Sequence, residues 1–459
     1  MSQNTNRFND LAEKNVGHLL WQYALPAIMA MTASSLYNIV DAIFIGQGVG
    51  DAAIMGLALT TPLMALTAAF GAMVGVGGST LMSIRLGQHD YRTAKHILGN
   101  VVIMNLLMGL VLGLVLYVFL EPVLRFFGAS DSTLPYAHDF MTVILLGNVF
   151  THLYLGLNAL LRSTGRPQLA MYATLGTVAI NLILAPIFIF VLDLGIRGAA
   201  WATVLAQFCM LLLEIKLFFD SSQLVHFQRE VMHLEKRIVR ESLVIGLPQF
   251  FVNVCACLVA IIVTRSMAFY GGDASVGAFG ICNRLAMFVI LVAVGLNQGM
   301  QPIAGYNFGA KRNDRVLSVL KLTALAATCV TSTGFIIGTI FAEPCVALFA
   351  KDSVELIAEA SHGLRIYVMF FPIIGVQIVS TAFFQSIGLA QRSVFLSLTR
   401  QMILLVPALL ILPHFFDNPI DGVWYAQPLS DILSTILSVI LLYLQVKKLK
   451  SSEEVGVRA

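Results

Sequence analysis

Twelve stretches of the chain are apolar almost without interruption, at roughly 19–45, 54–84, 97–120, 136–161, 169–192, 198–219, 243–269, 276–308, 318–342, 364–388, 393–416 and 424–446. Each reaches the ~20 residues that an α-helix needs to cross a hydrocarbon core. The runs are continuous rather than alternating, which predicts helices and excludes a closed barrel of strands. Several exceed the minimum, so tilted or bent spans are expected. Turn chemistry separates them, as in Gly46-Gln47-Gly48, Gly271-Gly272-Asp273 and Asn418-Pro419. The polar opening to Gly17, with no small-residue cleavage site after the first run, predicts that this run stays as a span.

Composition sharpens the pattern. Of 459 residues 58% are apolar and 12% charged, with a mean hydropathy of +0.84. Soluble domains carry about 45–50% apolar and roughly 25% charged residues. Lipid must therefore supply part of the solvent, which excludes a cytoplasmic enzyme, a secreted disulfide scaffold and a disordered chain. The net charge of +3 is small and means little until its placement is known, and no nucleic-acid partner is expected. The six cysteines fall in or beside apolar runs and read as small core residues. With the N-terminus placed in the cytoplasm, the inner segments hold 21 of the 28 Lys and Arg, the outer loops only Arg125, Arg197 and Lys351, and the spans or their ends the remaining four. That asymmetry predicts both termini on the cytoplasmic side of the membrane.

The two halves of the chain repeat. Leu25-Pro26 recurs as Leu247-Pro248, Gly50-Asp51-Ala52 as Gly272-Asp273-Ala274, Gly87 as Gly309 and Glu121-Pro122 as Glu343-Pro344, all displaced by 222 positions. Six spans per copy is an even number, so both copies insert the same way up. The expected fold is an all-α polytopic membrane protein: two six-helix lobes related by a pseudo-two-fold along the membrane normal, with a substrate site between them. The lobes are read as 1–215 and 242–459, joined by a cytoplasmic linker at 216–241. Pro26 and Pro248 are expected to bend spans one and seven and to act as hinges.

Tyr37-Asn38-Ile39-Val40-Asp41, Arg162-Ser163-Thr164-Gly165, Gly198-Ala199-Ala200, Gln298-Gly299-Met300-Gln301-Pro302, Tyr306-Asn307-Phe308-Gly309-Ala310 and Phe384-Gln385-Ser386-Ile387-Gly388 together resemble the multidrug and toxic compound extrusion (MATE) family, in its MepA-like bacterial branch. The resemblance covers almost the whole chain. It implies an antiporter, not an enzyme, that expels amphipathic and often cationic drugs in exchange for H⁺ or Na⁺, without a cofactor. It also implies a monomer with a V-shaped cavity. The alternative is a lipid-linked precursor flippase of the same superfamily, which needs a cationic cavity. A major-facilitator carrier shares the twelve-span duplication but not these motifs.

Carboxylates inside a bilayer are costly and usually functional. Three lie well inside a span: Asp41, Glu214 and Asp431. No Lys or Arg is buried in any first-half span to pair with Asp41. Such an acid is neutral when shut away from water and ionised when wetted, as proton coupling requires. Tyr37, one turn earlier, with Asn181, Thr203 and, nearer the inner end, Asn158, is expected to join it. Where relatives commonly carry a second acid after the span-five Asn, this chain has Ala185, which favours H⁺ over Na⁺ because a hard cation wants several oxygen ligands. Glu214 is expected to snorkel beside Lys216. Asp431 is expected to pair with Arg284 as a structural ion pair. Asn297, Gln298, Gln301 and Gln385 are candidates for the substrate cavity or for fastening helices, and His152 reads as packing.

Overall fold

The computed structural model describes residues 10–349 and 353–457, and side chains up to 451 apart from Asp51. Lys351, counted in the outer loops, and Arg7 and Arg458, counted with the termini, lie outside the described residues. Two compact units emerge, one holding Met29–Phe250, the other Asn15–Ile28 together with the chain from Phe251 on. The boundaries fall inside helices, at 28/29 and 250/251, each two residues beyond a proline of the predicted pair.

The first unit is built from α1 (Val16–Gly48), whose later part belongs to it, α2 (Asp51–Gly87), α3 (Tyr91–Val118), the short α4 (Leu120–Phe126), α5 (Leu134–Leu146), α6 (Asn148–Ser163), α7 (Pro167–Pro186) and α8 (Gly195–Phe219). Helices α5 and α6 make one span bent by 56° at Gly147. Pro186 closes α7 and hands it to a π-helical stretch, Ile187–Val191. An apolar core of Ile45, Leu63, Phe140, Ala185, Ala199 and neighbours lies inside this unit. The segment after α8 is tied onto α3 by Asn100, which donates to the His233 carbonyl at 3.0 Å and accepts from the Glu235 amide at 2.8 Å.

Helix α9 (Lys236–Gly309) is two helices joined at Gly272, whose φ of 69° and ψ of −162° interrupt the ladder. Its first turns pack on α2 with no side chains between the backbones: a Cβ on Gly77 would come 1.9 Å from the Ser242 carbonyl, and one on Gly246 1.9 Å from that of Met73. The second unit continues with α10 (Asn313–Ile340), α11 (Ala342–Ala347), α12 (Val354–Tyr367), α13 (Phe371–Ser386), α14 (Ala390–Leu398), its π-helical continuation Thr399–Leu405, α15 (Val406–Ile411) and α16 (Pro419–Val457). Its own core gathers Met267, Phe371, Leu409 and Trp424.

Counting the arms of α9 separately and each bent pair once, the long apolar helices of the described residues make twelve spans. The duplication is visible in the backbone. Helices α12 and α13 bend by 56°, as α5 and α6 do. Left-handed residues recur at the repeat offset, Gly50 with Gly272 and His89 with Lys311, and one position beyond it, Gly165 with Gly388.

Candidate functional site

Within the first unit, α1 presents Tyr37 and Asp41 one turn apart on one face. The Tyr37 hydroxyl lies 3.1 Å from Thr203 Oγ1 on α8, and Asn181 Nδ2 on α7 donates to Tyr37 at 3.2 Å and to Thr203 at 3.0 Å. Thr203 itself donates to the Ala199 carbonyl at 3.1 Å. Its one hydrogen being committed there, Tyr37 donates to Thr203. That leaves acceptors in excess. Asp41 is 7% exposed, and its Oδ1 and the Asn181 Oδ1 are both buried without a hydrogen-bond partner. No cation stands within ion-pair distance of Asp41 among the described residues. A proton on Asp41 supplies the donor that this set lacks, and it removes the cost of an isolated buried charge. Ala185 is fully buried in the apolar core and offers no oxygen side chain.

Asn158 is not part of this cluster. It donates from Nδ2 to Glu214 Oε1 at 3.0 Å and to the Ala170 carbonyl at 3.0 Å, and accepts from Arg162 Nη1 at 2.6 Å. Glu214 accordingly does not snorkel: it is 0% exposed. The correction has a geometric reason. Glu214 follows Thr203 by eleven residues, close to three full turns, and so shares its inward face. Tyr154, one turn before Asn158, is buried too and donates to Thr174 Oγ1 at 3.3 Å. Glu214 is already evident as an acid inside a span; continuing that face along α6 would have added Tyr154 beside it.

In the second unit Asp431 is paired, but with Arg400 and not Arg284. Arg400 Nε donates to Asp431 Oδ1 at 3.0 Å, and Gln427 Nε2 does the same at 3.0 Å. Arg284 is exposed, whereas Arg400 sits on the π-helical turn that packs against α16, where Ser430 also holds its carbonyl at 2.6 Å. Asn297 fastens helices, donating to the Ile378 carbonyl on α13 at 3.3 Å. Gln385 is buried, Gln298 and Gln301 half-buried. Pro26 lies inside α1 and Pro248 inside α9. His152 is fully buried, its ring against Gly71.

The chain matches the MatE family model twice, over residues 26–187 and 248–410, and the second match starts 222 positions after the first. It is 26% identical to the multidrug export protein MepA of Staphylococcus haemolyticus, over 94% of both chains. It is also 26% identical to MepA of Staphylococcus aureus (strain MSSA476), over 93% of both. Among solved structures, an outward-facing multidrug resistance MATE family transporter of the MOP superfamily superposes with a TM-score of 0.91 at 22% identity, covering 96% of this chain and 98% of that one. A MATE crystal structure in the bent conformation gives 0.92 at 21% identity, covering 98% and 99%. With both halves matched by one model, the chain belongs to the MatE family.

Proposed function

We propose that this protein is a secondary multidrug antiporter of the bacterial cytoplasmic membrane, exporting amphipathic, often cationic drugs in exchange for protons. The curated relatives named as multidrug export proteins support the substrate class. The observation that carries the coupling ion is the unpartnered, buried Asp41 carboxyl beside a neutral shell of Tyr37, Asn181 and Thr203. With Ala185 in place of a second acid, one proton satisfies the site, whereas a sodium ion has a single charged ligand in Asp41. The boundaries two residues beyond Pro26 and Pro248 support their role as hinges for alternating access. The cytoplasmic placement of both termini rests on the Lys and Arg asymmetry, and the protein works as a monomer. A flippase would need uncompensated buried cations; here Arg400 is neutralised by Asp431, which favours drug export.

The experiment is drug efflux from cells expressing the chain, under an imposed ΔpH or an imposed Na⁺ gradient. Efflux driven by ΔpH alone, and lost in Asp41→Asn, is the expected result. Efflux that needs Na⁺ and ignores ΔpH overturns proton coupling.

A further inference from the structure

The proposed coupling site leaves one buried acid unused. Glu214 is fully enclosed, its Oε1 held by Asn158 and its Oε2 buried without a partner. No drug reaches a group with no exposed surface, so the only ligand that fits is a proton. Its surroundings repeat those of Asp41: in each place a carboxyl stands near a buried tyrosine hydroxyl that is bonded to a threonine, Tyr37 to Thr203 and Tyr154 to Thr174. The two places are the ends of one polar strip inside the first unit. On α8 the strip runs Thr203, Gln207, Glu214; on α7 it runs Asn181, Thr177, Thr174; on α6 Thr151 bonds Gln207 at 2.5 Å, followed by Tyr154 and Asn158. Thr203 and Glu214 are about 16 Å apart along the α8 axis at 1.5 Å per residue. Asp41 lies about 10 Å from the late end of α1, and Glu214 about 7 Å from the late end of α8.

We infer that Glu214 is a second proton station, through which the proton taken up at Asp41 leaves toward the end of the lobe that carries Phe219. This rests on the reading of Asp41 as the coupling acid. The Asp41 carboxyl gives its proton to the hydroxyl beside it, each hydroxyl turns from its present acceptor to pass on its own hydrogen, and Tyr154, turning from Thr174, delivers the last to the Glu214 carboxylate. One proton is moved and no other bond changes. Where hydroxyls stand one turn apart, about 5–6 Å, the relay takes a bridging water. The charged and titratable groups beside Glu214 are Tyr154 and Arg162 from α6; Arg166, from the turn before α7, holds the Leu217 carbonyl at 3.3 Å and lies over the Phe218 ring. Helix α7 contributes only the neutral Thr174 and the Ala170 carbonyl. Arg162, braced on Asn158, is the countercharge that lets Glu214 exist as an anion once its proton has gone. Asp41 has no such partner, and this difference gives the relay its direction.

The test uses the purified full chain in proteoliposomes, with ΔpH-driven transport and drug exchange at equal pH measured side by side. Glu214→Gln slows ΔpH-driven transport by roughly tenfold or more, as loss of a positioned proton carrier does, and leaves exchange within about twofold. Glu214→Asp, which keeps a carboxyl, restores at least about half of the driven rate. Unchanged driven transport in Glu214→Gln overturns the station, and so does an equal loss of exchange, which marks a structural brace. If Glu214→Gln does not fold, Tyr154→Phe decides by the same two readouts. Asp41→Asn run alongside separates the layers. Coupling lost there but kept in Glu214→Gln removes the station alone; coupling kept in Asp41→Asn removes the reading beneath it.

Discussion

Asp41 in the first unit and Asp431 in the second are both buried carboxylates in polytopic helices, 7% and 1% exposed, yet their surroundings differ in kind. Asp431 accepts from Arg400 and Gln427, two donors at 3.0 Å, and its charge is balanced where it stands. Asp41 has hydroxyls and an amide nearby, whose hydrogens are spent on one another. A balanced acid in a dry place has no reason to change state. An unbalanced one changes state whenever water or a cation arrives. Burial alone therefore does not separate the two acids; the presence or absence of a compensating cation does.

That contrast breaks most visibly at its two acids. Asp41→Asn is expected to bring ΔpH-driven efflux down to the background of cells lacking the protein, and Asp431→Asn to leave the driving ion unchanged; drug-accumulation assays under imposed gradients read both. Arg400→Gln strands the Asp431 charge, so a loss of about 3–5 kcal/mol in stability is expected. It should appear as a lowered Tm in detergent and be largely recovered in the Arg400→Gln, Asp431→Asn double variant. Tyr37→Phe removes two neutral hydrogen bonds from the Asp41 shell, the one to Thr203 and the one from Asn181. It should cost about 2 kcal/mol, near thirtyfold in coupled transport rate, with drug affinity unchanged.

The smallest effect compares two turns. Asp90 caps α3 by accepting from the Thr93 amide at 3.1 Å, while its repeat partner Arg312 gives α10 no side-chain cap. Asp90→Ala should cost about 1 kcal/mol, and Arg312→Ala much less, in paired thermal melts. Burial pushes the Asp90 carboxyl up, but the Thr93 bonds and the nearby Arg85 and Arg237 outweigh it and hold it below the ordinary value. Its contribution is therefore complete above the unfolded carboxylate range and lost as pH falls through the depressed value. The Tm difference between wild type and Asp90→Ala should shrink on acidification.

Span number and the duplication were legible because the constraint behind them is crude: continuous apolar length, broken by glycine and proline. Asp41, Tyr37, Asn181 and Thr203 were legible for a different reason. They are the polar exceptions on apolar helices, and few partners were available to them. The partners of Asp431 and Asn158 were not. Choosing Arg400 over Arg284 depends on the π-helical turn at Thr399–Leu405, which rotates the face that follows it, and no run of apolar residues announces such a turn. Assigning Asn158 to Glu214 depends on two helices meeting at a given height, which depth counting alone does not resolve.

His89 and Lys311 each hold φ at 58°, at equivalent turns after α2 and α9, and each is exposed. A side chain in that conformation costs roughly 1–2 kcal/mol, and glycine would remove the penalty. Neither copy uses glycine, and neither uses the other's residue. What the duplicated halves have in common at this corner is thus a path of the main chain, kept at a cost twice over while the chemistry hung upon it was free to diverge.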